Sequence, residues 1–127
     1  MSQQKHRITL ALGSNFSAEA NIEQAKARLM AAFGKLRVSR SLVTSAIGIV
    51  SPPFVNCVIM AQSNQDMQNV LHTLKCIEAD MGSLPEDRRK GIVKIDIDLL
   101  QFDDIRRKEE DWNRDYIQLL INELRHG

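Results

Sequence analysis

The sequence predicts an α+β domain in which two amphipathic helices lie on one face of an antiparallel sheet. Two observations carry this. Four extended stretches, residues 7–13, 36–49, 54–61 and 93–102, are rich in β-branched and apolar residues. Between the first and second, and between the third and fourth, apolar residues instead recur every three or four positions, the period of a half-buried helix. A last helical pattern closes the chain.

Residues 7–13 place Ile8, Leu10 and Leu12 on one face and run into a Gly13-Ser14-Asn15 turn, which fits a first strand. A helix opens after Ser17, with Ile22, Ala25, Leu29, Ala32 and Phe33 as its buried face and Gly34 as its stop. Residues 36–49 show no helical stripe and read as one strand. Pro52-Pro53 turns the chain into an interior strand at 54–61, paired antiparallel with its predecessor. From Asp66 the helical period returns through Met67, Val70, Leu71, Leu74 and Ile77 to a stop at Gly82. Residues 83–91 are charged, contain Pro85 and read as a mobile loop. Residues 93–102 form the last strand. Residues 112–124 form a terminal helix with Tyr116, Leu119, Leu120 and Leu124 inward. The order β-α-β-β-α-β defines a ferredoxin-like arrangement with an additional C-terminal helix, and it leaves the second sheet face free for a site.

Residues 1–127 are expected to form a single domain, because a chain of this length buries about two thirds of its unfolded surface. With 43% hydrophobic and 26% charged residues and a net charge of +1, the composition is that of a globular protein and offers no nucleic-acid footprint. The start is polar, without a signal-peptide pattern, and no apolar run reaches the roughly 18 residues that span a membrane. A cytoplasmic monomer is expected. Cys57 and Cys76 have neither redox nor zinc spacing and are expected to be buried thiols.

The chemistry centres on Ile95-Asp96-Ile97-Asp98-Leu99-Leu100. Residues two apart on a strand point the same way, so Asp96 and Asp98 share one face. Like charges that close call for a compensating cation or a shared proton, and hard oxygen donors favour Mg²⁺. An amphipathic strand with a solvated face generates the same pair, so the spacing alone leaves both readings open. Nearby cations, Arg88, Arg89 and Lys90 in the loop and Lys94 expected on the face of Asp96, suit a polyphosphate. They equally suit a solvated loop end. No phosphate-binding glycine loop or dinucleotide fingerprint is present, so a nucleotide must be held by metal and side chains. Asn56, an amide on an apolar strand, needs partners from backbone or ligand. Phe54 and Tyr116 offer aromatic faces for a flat heterocycle, or belong to the core.

Taken together, Ala11-Leu12-Gly13-Ser14-Asn15, Asn21-Ile22-Glu23-Gln24-Ala25, Phe54-Val55-Asn56, Ile77-Glu78-Ala79-Asp80-Met81-Gly82, the Asp96/Asp98 strand and Arg114-Asp115-Tyr116 resemble the 6-hydroxymethyl-7,8-dihydropterin pyrophosphokinase family over most of the chain. The resemblance implies transfer of pyrophosphate from ATP to the hydroxymethyl group of a dihydropterin in folate synthesis. It implies Mg²⁺ on Asp96 and Asp98, with Asp98 also assisting deprotonation. Thr44, Ile47, Phe54, Asn56 and Tyr116 would hold the pterin. Glu78, Arg88, Arg89, Lys94 and Arg114 would hold the nucleotide, Arg89 being catalytic on a loop that closes over the site.

The chain departs from the family in three places. Arg89-Lys90-Gly91-Ile92-Val93 stands where the family has Arg-Trp-Gly-Pro-Arg, so the arginine expected at Val93 is absent and Lys94 is the nearest cation. Ser45 and Ala46 replace two prolines after Thr44. The segment after Phe102 is compressed to residues 103–108, and no histidine lies between His72 and His126. A second reading is therefore a non-catalytic pterin- or nucleotide-binding module. An RNA-binding sheet shares the element order but lacks its strand aromatics and basic surplus.

Overall fold

The computed structural model describes residues 5–45 and 52–126. Its elements run β1 (His6–Ser14), α1 (Ala18–Phe33), β2 (Arg37–Val38), β3 (Leu42–Thr44), β4 (Phe54–Ser63), α2 (Met67–Asp80), α3 (Pro85–Arg89), β5 (Asp96–Phe102), β6 (Ile105–Arg106), α4 (Glu109–Trp112) and α5 (Asp115–His126). The antiparallel sheet is ordered β2-β4-β1-β5-β6, with β3 also paired to β4. This is the ferredoxin-like arrangement with a helix added at the C-terminus.

Alternation along the strands decides both layers. Ile8, Leu10 and Leu12 of β1, Cys57 and Ile59 of β4, and Ile97 and Leu99 of β5 face α1 and α2. Those helices answer with Ile22, Ala25 and Leu29, and with Val70, Leu74 and Ile77. Asp66 caps α2, its Oδ1 accepting from the Asn69 N–H at 2.9 Å. Ala32 is exposed, whereas Phe33 beside it in the last turn packs against the core.

The opposite face is not free. Val58 and Leu100 pack against Trp112, Ile117, Leu120, Ile121 and Leu124, so α4 and α5 cover the middle of that face. The predicted terminal helix is two helices broken at Asn113 and Arg114. Ile117 and Ile121 turn inward, while Leu119 is 44% exposed and Tyr116 is half-buried beside a cavity. No helix among the described residues is long and apolar enough to cross a membrane.

Three further expectations are corrected. Of the predicted strand 36–49, residues 46–49 lie outside the described residues, and the rest is not one strand: β2 and β3 pair separately with β4, because Ser39 interrupts the ladder by accepting from Val58 N–H at 2.8 Å through its hydroxyl. Within 83–91 lies α3, with Pro85 at its first turn, acids following and arginines at its end, a charge order that suits the helix dipole. Lys94 precedes β5, and its Nζ lies 3.8 Å from Asp87 instead of sharing a strand face with Asp96.

The cysteines also differ from each other. Cys57 is fully buried and its thiol is pushed up to about 11 by burial, whereas Cys76 is exposed on α2. A thiol reagent at neutral pH is expected to label Cys76 within minutes and Cys57 only in denaturant. Two fast-reacting thiols by mass spectrometry would contradict this packing.

Candidate active site

The row Leu42, Asn56, Gly13, Asp96 runs in register across β3, β4, β1 and β5, and Val58, Ala11, Asp98 forms the next row. Small residues on β1 therefore separate Asn56 from the two carboxylates, opening a cavity over Gly13. It has a volume of about 400 Å³, and Thr44, Phe54, Asn56, Asp96, Asp98, Asp111, Arg114 and Tyr116 line it.

Asn56 is buried and held. Its Nδ2 donates to Thr44 Oγ1 at 2.8 Å and to the Leu42 carbonyl at 3.3 Å. A rigid amide between Phe54 and Tyr116 is a recognition edge for a planar heterocycle. Tyr116 has its phenol pushed up by burial, so it stays a neutral hydroxyl. Arg114 is tied at 3.2 Å to Asp111, both on the wall of this cavity.

A second cavity of about 620 Å³ opens on the other side of the same strand. Lys75, Glu78, Arg88, Arg107 and Lys108 line it together with Asp96 and Asp98. The two aspartates are thus the ridge between an aromatic cavity and a cationic one.

Each acid on this ridge has a cation. Arg88 Nη2 lies 3.3 Å from Asp96 Oδ1 and 3.9 Å from Glu78 Oε2, and Lys108 Nζ lies 3.4 Å from Asp98 Oδ1. Burial, and then the charge of Asp96, raise the Asp98 carboxyl above its ordinary value against the opposing pull of Lys108. Glu78 is raised for the same two reasons, opposed by the Ile97 N–H that donates to Oε2 at 2.7 Å. Glu78 therefore braces β5 from α2.

Among the described residues no cluster of three or more His, Cys, Asp or Glu side chains is placed to hold a metal. The donor set is two carboxylates, which fits Mg²⁺, a cation that takes one or two carboxylates and fills its remaining positions with water and phosphate. Burial first, and the charge of Asp96 second, disfavour the ionised Asp98, and a bound cation would favour it.

The residues expected for the site divide clearly. Thr44, Phe54, Asn56, Tyr116, Asp96 and Asp98 converge on the first cavity and Glu78 and Arg88 on the second, whereas Arg114 stands on the wall of the first. Arg89 is exposed at the end of α3 and lines neither cavity, and Lys94 is engaged with Asp87. Ile47 lies outside the described residues.

Sequence reasoning missed Lys108, Arg107, Asp111 and the role of Gly13. The first two arrive through the β5–β6 hairpin, in which Phe102 pairs with Ile105 and Arg107 N–H donates to the Leu100 carbonyl at 2.8 Å. Asp103-Asp104 between Phe102 and Ile105 is a two-residue turn signal that would have revealed it. Lys108 sits at φ +55°, a left-handed conformation costly for a side chain of its size.

No curated protein matches the chain at a significant level. A family model described as 7,8-dihydro-6-hydroxymethylpterin-pyrophosphokinase matches residues 9–125, a span that includes both cavities. With that match over nearly the whole chain, it belongs to the 7,8-dihydro-6-hydroxymethylpterin-pyrophosphokinase family.

Proposed function

We propose that this chain, as a cytoplasmic monomer, transfers pyrophosphate from ATP to 6-hydroxymethyl-7,8-dihydropterin, with AMP as the second product. The observation that carries the reading is the position of Asp96 and Asp98 on the ridge between the aromatic cavity and the cationic one. Pterin in the first, between Phe54 and Tyr116 and read by Asn56, directs its hydroxymethyl group at Asp98. Polyphosphate in the second lies among Arg88, Arg107 and Lys108.

Mg²⁺ on Asp96 and Asp98 would supply charge neutralisation across the phosphates. The hydroxyl oxygen forms a bond to the β-phosphorus, the bond from that phosphorus to the α,β-bridging oxygen breaks, and AMP leaves with the electron pair. The hydroxyl proton passes to a carboxylate oxygen of Asp98, whose raised proton affinity suits the task. Arg88 and Lys108 neutralise the aspartates until phosphate oxygens replace these as counterions. Arg89 joins the phosphates only if α3 swings inward, which makes α3 the closing element, and Lys94, outside α3, joins them only by leaving Asp87. Coupled detection of AMP from ATP and the dihydropterin tests the reading, and no AMP above a blank at high enzyme concentration rejects it.

The alternative, a pterin-binding module without turnover, is favoured by Val93. This residue stands where the family carries an arginine, and its backbone is fixed by Asn15. That reading predicts pterin binding in calorimetry with no AMP.

Gly13→Ala separates recognition from stability. Gly13 is outside the left-handed region, so alanine meets no backbone strain, but its Cβ would stand 3.3 Å from Asn56 Oδ1 and 3.7 Å from Phe54 Cδ1. Asn56 is fixed on its other side and has little room to yield. The expected result is a KM for pterin raised about tenfold, with unfolding free energy within about 1 kcal/mol of the parent by urea titration.

A further inference from the structure

The helix α5 covers only the middle of its sheet face, and a cavity lies beyond each of its ends. The one past its N-terminus holds Asp96 and Asp98. The one past its C-terminus has a volume of about 530 Å³ and is of opposite character. Its floor follows the in-register row Arg37, Met60, Thr9, Gln101 across β2, β4, β1 and β5, and Phe33 and Ala61 reach its rim from the α1 side of the sheet.

Five cations, Lys5, Arg7, Lys35, Arg37 and Arg125, line this cavity against one carboxylate, Asp103. That acid is already engaged, accepting from His6 Nδ1 at 2.7 Å and from the Arg7 N–H at 2.8 Å. Arg37 donates to the Leu124 carbonyl, which caps the helix end whose partial negative charge would otherwise repel an anion. Arg7 has an exposed contact to Asp104 at 3.5 Å, and among the described residues Lys5, Lys35 and Arg125 have no ion pair. A protein of net charge +1 has therefore gathered five cations in one concavity, where they raise the local potential and repel one another.

We propose that this cavity binds a small organic phosphate, without metal, as a site separate from the pyrophosphoryl-transfer site. The phosphoryl group sits among Lys5, Lys35 and Arg125, and an apolar or ring portion lies on Met60. The volume falls in the range of small-ligand sites, about 300 to 1,000 Å³. Cations around the Met60 side chain select an anion that carries hydrocarbon over a bare one.

The test is titration of the full chain with phenyl phosphate and with inorganic phosphate in a chelating buffer, by calorimetry and by amide chemical shifts. Phenyl phosphate is expected to bind more tightly than inorganic phosphate and to shift Thr9, Met60 and Gln101. The exposed-site double variant Lys35→Glu/Arg125→Glu is expected to bind it at least about tenfold more weakly. The Lys35→Gln/Arg125→Gln variant should lie between, and Asp98→Asn should retain the parent affinity. Unchanged affinity in the Glu double variant overturns the proposal. So do equal affinities for the two anions, shifts centred on Gly13 and Asp96, or loss of binding in Asp98→Asn.

Discussion

Replacing Asp98 with asparagine is expected to lower kcat/KM for pyrophosphoryl transfer by about a thousandfold or more, roughly 4 kcal/mol of transition-state stabilisation, measured as AMP formed. Asp98 is, with Asp96, one of the two acids that both cavities share, and its substitution removes a metal donor and a proton acceptor at once. Pterin affinity by calorimetry is expected to change by less than about tenfold, because Asn56, Phe54 and Tyr116 remain in place. The effect on folding has the opposite sign. Burial and Asp96 raise the Asp98 carboxyl in the folded protein, so folding favours its protonated form. The resulting penalty is absent below the ordinary carboxylate range and is fully developed once pH exceeds the raised folded value. In the metal-free protein at neutral pH, Asp98→Asn is therefore expected to unfold at higher urea than the parent, a margin that closes as pH falls below the ordinary carboxylate range. Retained activity would remove Asp98 from the chemistry, and lower stability at neutral pH would mean that the Lys108 contact outweighs the repulsion.

Trp112→Ala is expected to cost about 3 to 5 kcal/mol of unfolding free energy in a urea titration, the largest single loss outside the strands. The indole is 3% exposed, fills the core beneath α5, donates from Nε1 to the Leu100 carbonyl at 2.7 Å and carries the Arg106 guanidinium 4.6 Å from its ring centroid. Trp112→Phe should cost less, about 1 to 2 kcal/mol. The Leu100 carbonyl keeps the Arg107 N–H as a partner, so the loss is one of volume and one hydrogen bond. Because α4 also presents Asp111 and leads into Arg114 and Tyr116, the alanine variant is expected to raise the pterin KM as well. Equal costs for Ala and Phe would show that the hydrogen bond, and not the packing, holds α4 down.

The sheet and its carboxylate pair were legible because period-two alternation is a local property. Ile97 and Leu99 had to go inward, and that alone aimed Asp96 and Asp98 outward. What escaped did so for other reasons. The stripe Tyr116, Leu119, Leu120 and Leu124 lies wholly within α5 but is rotated from the buried one, because Ile117 and Ile121 fill the inner face with Leu120 and Leu124 and leave Leu119 outside. Lys108 was invisible as a site residue because its place beside Asp98 comes from a hairpin return ten residues later, not from spacing. Position in a loop did not distinguish Arg88 from Arg89 and the family resemblance favoured Arg89, but on a short helix it is Arg88 that faces the ridge. The free face was lost to α5, whose apolar stripe had been read without asking which surface it would cover.

The turn after β1 has a consequence for how this fold tolerates change. Asn15 donates from Nδ2 to the Gly91 carbonyl at 2.7 Å, accepts at Oδ1 from the Val93 N–H at 2.7 Å and donates its own N–H to the Val93 carbonyl at 3.0 Å. On the other side, Ser83 Oγ donates to the Ile95 carbonyl at 2.9 Å. The segment 84–90 is thus a cassette between two moorings. Substitutions within it are expected to leave the backbone of Asp96 and Asp98 in place, so their cost falls on the Arg88 contact to Asp96 and on the movement of α3, not on the strand that carries the acids.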